Sequence, residues 1–315
     1  MSLQFLPVNL FGSVMSFAGL AIATRLFNKM LNLNNILPNV IDGIAIIIFV
    51  ILLISYLLKI ILFPAKIKTE FSNQITVNFY GTIPIAFLLI SVVIGNYNQG
   101  ISLYLWSIGV VFTLLAGYNI IYKLIKEEVS YDKVIPAWLI GGVASIDIAA
   151  TSPVISNNFL NELNLLGLSI GTGLAIIFYI LILHILINRS QMAQASTPSL
   201  MILIAPFAVG FLGYTNYFNS IDAFASMLLY FSLFMFLVIL PQIFKKGISF
   251  NVNWWAIGFP VAALVSANIK YAIYTQFIAF KIIATLLILF LMISILIISV
   301  KTLISLFNGK LLSAN

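Results

Sequence analysis

The residues of this sequence that could take part in chemistry are few and widely separated. A single histidine, His184, cannot build a metal site of several imidazoles, and there is no cysteine to serve as nucleophile or thiolate ligand. No Gly-rich phosphate loop, acidic metal cluster or HExxH motif occurs. Among the ionisable residues, Asp147 and Lys270 fall within long apolar segments, where charge usually marks a permeation path or a paired partner. The pattern indicates passage of a solute rather than catalysis, so we expect no enzyme activity, metal or cofactor.

Five of the ten prolines recur in alternate apolar segments, and these segments would position any such path. They are Pro7, Pro84, Pro136, Pro206 and Pro260, separated by 77, 52, 70 and 54 residues, about one transmembrane hairpin each. A proline inside a helix leaves a carbonyl without its partner, so kinked segments normally lie where protein or water can satisfy it. The alternation therefore predicts five proline-kinked helices lining a central pore, with five proline-free helices around them. The alternative is that prolines are simply common in membrane helices.

The composition requires an integral membrane protein. The chain is 62% hydrophobic and 7% charged, whereas an ordinary soluble domain has about 25% charged residues. Barrel strands alternate apolar and polar residues, whereas this sequence has solid apolar runs of twenty or more, so a barrel is the weaker alternative. We therefore predict a single all-α transmembrane domain over residues 1–315, and we read Phe5–Leu26 as a retained first helix, not a cleaved signal. The predicted spans are 5–26, 40–63, 78–96, 102–125, 134–152, 163–188, 200–218, 222–244, 253–272 and 277–306.

The distribution of basic residues predicts the orientation. Positive residues concentrate in cytoplasmic loops. The side that holds both termini receives Lys59, Lys66, Lys68, Lys123, Lys126, Lys133, Arg189, Lys245, Lys246, Lys301 and Lys310, whereas the other side receives Arg25, Lys29, Lys270 and Lys281. This predicts a multi-pass protein of the cell (inner) membrane with both termini in the cytoplasm. The tryptophans Trp106, Trp138, Trp254 and Trp255 fall near predicted span ends, as in interfacial aromatic belts.

Phe259 is the strongest candidate for a gate. It immediately precedes Pro260, which biases it away from helical dihedral angles. An apolar collar with one large ring can close a narrow pore by excluding water, and a rotamer change can reopen it. The alternative is that Phe259, one of 26 phenylalanines, simply packs against a neighbouring helix.

Asp147 and Lys270 leave alternatives open. Lys270 either lies on the ion path or extends its ammonium group to the lipid headgroups. Asp147 pairs with a cation, faces a vestibule or carries a proton, although an ordinary position at the outer surface is favoured. His184 is expected at the membrane interface.

The proline-bearing spans otherwise carry few fixed charges. Their weakly polar or small residues suit monovalent or small anions, because a cation path normally needs carboxylates or carbonyl rings. The scattered basic residues do not indicate nucleic-acid binding. The candidate pore-lining or ion-path residues are Ser13, Ser91, Gly142, Gly213, Ser266, Asn268 and Lys270.

Several segments resemble one family of membrane proteins. The stretch Phe250-Asn-Val-Asn-Trp-Trp-Ala-Ile-Gly-Phe-Pro-Val-Ala-Ala-Leu-Val-Ser-Ala-Asn-Ile-Lys-Tyr271 resembles the ninth helix of the tellurite-resistance/dicarboxylate transporter family, which includes the slow anion channels of plant guard cells. Pro7–Ala21 resembles the first helix of that family, Ala205–Gly210 its seventh and Ile135–Trp138 its fifth.

This resemblance implies a specific architecture. It implies ten transmembrane helices as five helical hairpins with quasi-fivefold symmetry, usually assembled as a homotrimer with one pore per subunit. It also implies that a phenylalanine before the ninth-helix proline occludes the pore, and Phe259 occupies that position. The plant members carry long phosphorylated tails that the sequence given does not contain, so we do not expect gating by a kinase.

We therefore predict an anion channel or channel-like transporter that passes small anions such as chloride or nitrate. The alternative is a proton-coupled carrier or exporter of dicarboxylate, sulfite or tellurite, in which Asp147 or His184 takes the proton. The partners expected are small inorganic or organic anions, the lipid bilayer and further copies in a homotrimer. A lipid-modifying enzyme would need a nucleophile–base or metal constellation, which this sequence does not provide. A purely structural scaffold would show no flux.

Overall fold

The computed structural model describes residues 2–126, 133–154, 157–188, 194–244 and 248–313. Three basic residues used for the orientation, Arg189, Lys245 and Lys246, lie outside this part. Within the described ranges all regular secondary structure is helical and there is no strand, as the sequence predicts.

The α-helices overlap the predicted spans and add one short helix. The short helix, α3, follows α2 directly and begins at Pro64, where the sequence suggested only a helix end. The bounds are α1 Phe11–Leu31, α2 Ile36–Leu62, α3 Pro64–Ser72, α4 Thr82–Gly95, α5 Gln99–Lys126, α6 Leu139–Ala150, α7 Asn158–Asn188, α8 Ala205–Phe218, α9 Ala223–Ile243, α10 Gly258–Thr275 and α11 Ile278–Phe307. Among the described residues nine helical segments are long and apolar enough to cross a membrane, and Pro136–Ala150 is a shorter apolar one.

The helices of the first, third, fifth, seventh and ninth predicted spans share one kind of N-terminus. A 3₁₀ segment runs directly into each of α1, α4, α6, α8 and α10. Pro84 and Pro260 are the third residues of their α-helices and Pro206 is the second, positions where a missing N–H breaks no helical hydrogen bond. Pro7 and Pro136 instead lie at the start of the 3₁₀ segment. The prolines thus mark the starts of the helices. The predicted bend at each proline remains a prediction.

Burial divides the helices into two groups. In the spans Val8–Leu31, Thr76–Gly95, Gln194–Phe218 and Val252–Thr275, between 67% and 83% of the most apolar stretch is buried. In the spans that contain α2, α5, α7, α9 and α11 the share is 28% to 33%. Nearly all of α6 is buried as well. We call α1, α4, α6, α8 and α10 the inner helices and the other five long helices the outer helices.

The contacts between inner helices form a closed series. Helix α1 packs against α4 and α10, α6 packs against α4 and α8, and α8 packs against α10. Each inner helix also packs against the outer helix that follows it in the chain. The inner helices therefore surround a common axis, and the outer helices cover them.

Small residues let α1 and α10 approach closely. A Cβ atom at Gly258 would lie 2.0 Å from the Ser16 hydroxyl oxygen, and one at Gly19 would lie 2.7 Å from the Ala262 Cβ atom. Neither position can take a side chain without moving a helix. This contact fixes Phe259, the residue after Gly258, relative to α1.

Two ion pairs join α2 to its neighbouring helices within the described residues. Lys59 on α2 is fully buried, and its ammonium group donates to Glu70 Oε1 on α3 at 2.6 Å and to the Leu6 carbonyl at 2.7 Å. At the opposite end, Arg25 on α1 pairs with Asp42 on α2.

The belt interpretation is wrong for three of the tryptophans. Trp106 is fully buried and donates to the Ile148 carbonyl at 3.1 Å, and Trp138 and Trp255 are 5% and 2% exposed. All three therefore pack inside the protein, away from any lipid interface.

Candidate functional site

A wide cavity of about 520 Å³ opens at the N-terminal ends of the inner helices. Its wall combines the segments before these helices with α3, and it contains both charged and amide side chains. The charged residues of the wall are Lys66 and Glu70. The Glu70 carboxylate is held by Lys59, and its second oxygen accepts from Tyr80 at 3.0 Å. The other lining residues include Pro7, Asn9, Thr76, Phe79, Ile135, Ser196, Ser199 and Asn253.

A small central cavity of about 40 Å³ lies next along the inner helices. It shares Asn9, Phe79 and Asn253 with the wide cavity, so the two are adjacent. Asn9 donates to Asn253 Oδ1 at 2.9 Å, which joins the first and last inner segments at this junction. The lining is mostly apolar, and its members include Gly12, Met15, Thr82, Ile85, Ile140, Val143, Ile202, Ala205, Trp255, Phe259 and Pro260.

A distal cavity of about 60 Å³ lies closer to the C-terminal ends of the inner helices. Its wall includes one carboxyl group, Asp147, and the hydroxyl residues Thr151 and Ser266. All five inner helices contribute, and the other lining residues are Gly19, Ile22, Leu89, Val92, Ala150, Val209, Leu212, Phe259, Ala262 and Ala263.

Phe259 lines both the central and the distal cavity. Its side chain is 5% exposed and lies in the first turn of α10. Along every inner helix the lining residues advance with sequence from one cavity to the next. On α1, for example, Gly12 and Met15 line the central cavity and Gly19 lines the distal one. The cavities are therefore consecutive along one axis, with the Phe259 ring at the junction of the last two.

Asp147 is buried inside the protein rather than placed at its outer surface. The residue is 2% exposed, and within the described residues its Oδ2 atom has no hydrogen-bond partner. The ion pairs of the described part are Arg25–Asp42 and Lys59–Glu70, and neither involves Asp147. The outer-surface position favoured by the sequence is therefore wrong, and so is direct pairing with a described cation.

Lys270 is held at the C-terminal ends of the inner helices. Its ammonium group donates to Thr215 Oγ1 at 2.9 Å and to Asn216 Oδ1 at 2.7 Å, both on α8. Asn216 in turn donates to the Ala150 carbonyl on α6 at 2.8 Å, and Ala150 lines the distal cavity. A positive charge is thus fixed by the protein itself beside the distal cavity.

Comparison with known proteins identifies the family. The family described as voltage-dependent anion channel (SLAC1) matches residues 6–303, nearly the whole chain. The chain belongs to the SLAC1 family. This confirms the resemblance to the tellurite-resistance/dicarboxylate transporter family that the first, fifth, seventh and ninth spans carry.

Relatives in the SLAC1 family include plant and archaeal proteins. The S-type anion channel SLAH2 of Arabidopsis thaliana is 25% identical over 300 residues, which are 88% of this chain and 55% of the relative. SLAH1 of the same plant is 28% identical over 236 residues, 73% of this chain and 60% of the relative. An uncharacterised transporter, MJ0576 of Methanocaldococcus jannaschii, is 24% identical over 298 residues, 86% of this chain and 85% of the relative. The matched part of the chain thus spans little more than half the length of these two plant relatives.

The other sequence-predicted residues of this SLAC1-family chain mostly make packing contacts. Ser13 and Ser91 donate to carbonyls of Leu10 and Leu88, and Asn268 donates to the Phe280 carbonyl on α11. Gly142 is a close-packing position: a Cβ atom there would lie 2.9 Å from the Ala175 backbone nitrogen on α7. Gly213 would similarly meet Leu168 and Ile146. Of the predicted polar lining set, Ser266 lines one of the three cavities. His184 is exposed on the outer helix α7.

Sequence reasoning missed the narrow junction between the wide and central cavities. Asn9 and Asn253 form it, and Trp255 lines the central cavity behind them. A signal was available, because Asn9 follows Pro7 by two residues and Asn253 lies in the stretch that resembles the ninth helix. Their partnership could not be read from the sequence, because 244 residues separate them.

Proposed function

We propose that this SLAC1-family chain is an anion channel or channel-like transporter, and that anions pass along the axis of the inner helices. The observation that carries the proposal is the series of three consecutive cavities, to which all five inner helices contribute residues. The family match and the anion-channel names of the plant relatives support the class of solute.

The proposed pore architecture is a quasi-fivefold ring of helical hairpins. It is supported by the closed series of inner-helix contacts and by the packing of each inner helix against the outer helix that follows it. The recurrence of a 3₁₀ segment before every inner helix is consistent with five copies of one structural unit. In this arrangement the prolines Pro7, Pro84, Pro136, Pro206 and Pro260 belong to the inner ring, close to its N-terminal end.

Phe259 is the proposed barrier. Its ring lines both cavities at their junction, and the adjoining wall of the central cavity is mostly apolar, so an ion that enters there loses its hydration. The Gly258–Ser16 contact holds the backbone of this residue in place, while the cavities on its two sides leave space for a rotamer change.

Charges near the two ends favour small anions such as chloride or nitrate. Lys66 lines the wide cavity, where the one acidic wall residue, Glu70, is neutralised by Lys59. Lys270 adds a second positive charge beside the distal cavity. Positive potential at a narrow path raises the local concentration of anions.

The test is anion flux into vesicles that contain the purified full chain. Phe259→Ala should raise chloride and nitrate flux about tenfold or more, equivalent to a barrier lowered by about 1.4 kcal/mol. The matched control is Phe211→Ala, because Phe211 is a fully buried phenylalanine on an inner helix that lines none of these three cavities. It should lose stability, about 3 kcal/mol or more for a buried phenylalanine, without a rise in flux. Equal flux in the wild type and Phe259→Ala, or a rise in both variants, would contradict the proposed barrier.

A proton-coupled carrier is the second candidate, and buried Asp147 is the observation that favours it. A carrier would accumulate its substrate against a gradient when a proton gradient is imposed. A channel would equilibrate anions with or without it. Uptake of labelled dicarboxylate, sulfite or chloride with and without a proton gradient separates the two.

For the cellular arrangement we propose a cell (inner) membrane protein with the wide cavity open to the cytoplasm. Eight described basic residues belong to that side, in keeping with the excess of basic residues in cytoplasmic loops: Lys59, Lys66, Lys68, Lys123, Lys126, Lys133, Lys301 and Lys310. The homotrimer implied by the family resemblance is part of this proposal. Light scattering of the detergent-solubilised protein measures the mass of the assembly. A mass near that of one subunit would contradict the homotrimer.

A further inference from the structure

The distal cavity contains a carboxyl group that does not suit a simple anion path. An ionised Asp147 would repel an anion in a cavity of about 60 Å³. It would also be expensive to maintain, because an isolated carboxylate in apolar surroundings loses its hydration without compensation. The neutral acid avoids both costs. A neutral carboxyl group can also donate its proton in a hydrogen bond, as buried carboxylic acids in apolar sites do.

Ser266 gives the same cavity a second donor. The hydroxyls of Ser13, Ser16, Ser91 and Ser145 each donate to a backbone carbonyl of the preceding turn. Ser266 forms no equivalent bond within the described residues, and it lines the distal cavity together with Asp147.

Other titratable groups at this end of the surrounding helices are engaged elsewhere or face outward. Arg25 on α1 binds Asp42, Tyr214 on α8 donates to Asp222 at 2.6 Å, and Lys270 on α10 binds Thr215 and Asn216. Tyr104 on α5 and Glu162 on α7 are exposed. The α4 sequence has no titratable side chain.

We propose that the distal cavity is a protonation-dependent anion site, in which the neutral carboxyl group of Asp147 and the hydroxyl of Ser266 both donate to a small anion. The proposal rests on the proposed anion path and adds its regulation. Protonated Asp147 binds the anion and permits flux. Ionised Asp147 repels the anion and also accepts the Ser266 hydroxyl as a competing partner. Flux should therefore rise as pH falls and decline as pH rises through the titration of Asp147.

The experiment measures chloride flux in vesicles at several values between about pH 4 and pH 9, the interval in which buried carboxyl groups titrate. Each variant is made both in the unmodified chain, called the parent below, and in the Phe259→Ala background, where conduction is easier to detect. Flux through the parent should change by up to about tenfold per pH unit on the alkaline side of the titration. Asp147→Asn, which is always neutral and always a donor, should conduct at the acid level of the parent at every pH.

Further variants keep the test decisive. Asp147→Thr replaces the carboxyl group with a smaller neutral donor and should also remove the pH dependence. Ser266→Ala should reduce flux at low pH while leaving the pH dependence in place. The matched control is Asp42→Asn, a buried acid that is paired with Arg25 and lies outside the distal cavity. It should retain the pH dependence of the parent.

The outcomes separate this inference from the proposed function. If Phe259→Ala and the parent carry no anion flux at any pH, the proposed anion path itself fails. If they conduct but Asp147→Asn or Asp147→Thr keeps the parental pH dependence, the path stands and the protonation-dependent site is refuted. A loss of pH dependence in Asp42→Asn as well would also refute it, because the effect would then not belong to the distal cavity.

Discussion

The central and distal cavities have similar volumes but different chemistry. The central cavity, about 40 Å³, is walled mainly by apolar residues such as Ile140 and Val143. The distal cavity, about 60 Å³, contains Asp147 and Ser266. Phe259 lines both of them. In the function proposed above, exclusion of water and recognition of the solute belong to different levels of the same axis, so each should be alterable without the other.

The comparison extends to how the two ends are supported. The wide cavity on the near side of Phe259 depends on a buried ion pair between Lys59 and Glu70 that holds α3 in its wall. The distal side depends on Lys270, whose charge is bound to neutral partners, Thr215 and Asn216. The first cation should therefore matter for stability, and the second for the potential that an anion experiences.

The largest effect on stability is expected from Lys59→Met. Removing one partner of a buried ion pair leaves the other charge uncompensated and costs about 3 kcal/mol or more. The thermal midpoint in detergent should fall well below that of Lys68→Met, a control in which an exposed lysine of α3 is replaced. The double variant Lys59→Met/Glu70→Gln should recover part of the loss. Equal midpoints for Lys59→Met and Lys68→Met would show that the ion pair does not support the wide cavity.

A smaller effect is expected from Lys270→Gln, and it should concern flux rather than stability. A unit charge several ångströms away in a wet site contributes on the order of 1 kcal/mol or less, so chloride flux at low salt should fall about two- to fivefold. The loss should shrink at high salt because mobile ions screen the charge. Lys281→Gln removes the same charge from α11, where the ammonium group binds Gln276, and should change flux less. Indistinguishable flux in the two variants would contradict a role of the Lys270 charge in anion passage.

Much of the fold could be predicted from the sequence because apolar runs and their interruptions are local signals. The ten predicted spans all overlap helices, and the segments that contain Pro84, Pro206 and Pro260 are among the most buried. The short helix α3 was missed because its start at Pro64 looks like the end of α2. The tryptophans were misassigned because proximity to a span end says nothing about which side of the helix a residue occupies.

The site could be predicted less completely, for a physical reason. An inner helix of this chain is buried on most of its sides, so the side chains that face the axis do not stand out in its sequence from those that face other helices. Phe259 could be singled out because its family motif is specific, and its role as a gate stays a prediction. The burial of Asp147 could not, because the same position near the C-terminus of α6 would also suit a headgroup contact. The pairing of Asn9 with Asn253 depends on the closure of the inner ring between α1 and α10.

Accessibility from the two sides of the membrane tests the central claim most directly. The chain contains no cysteine, so single cysteines can be placed in the central cavity by Asn253→Cys and in the distal cavity by Ser266→Cys. The probe is dicyanoargentate, a small anion that transfers silver to thiols, added to one side of oriented vesicles. With Phe259 present, each cysteine should react from one side only, and the two from opposite sides. With Phe259→Ala, both should react from both sides. Reaction of Ser266→Cys from both sides while Phe259 is intact, or unchanged one-sided reaction after Phe259→Ala, would contradict a single path closed by this ring.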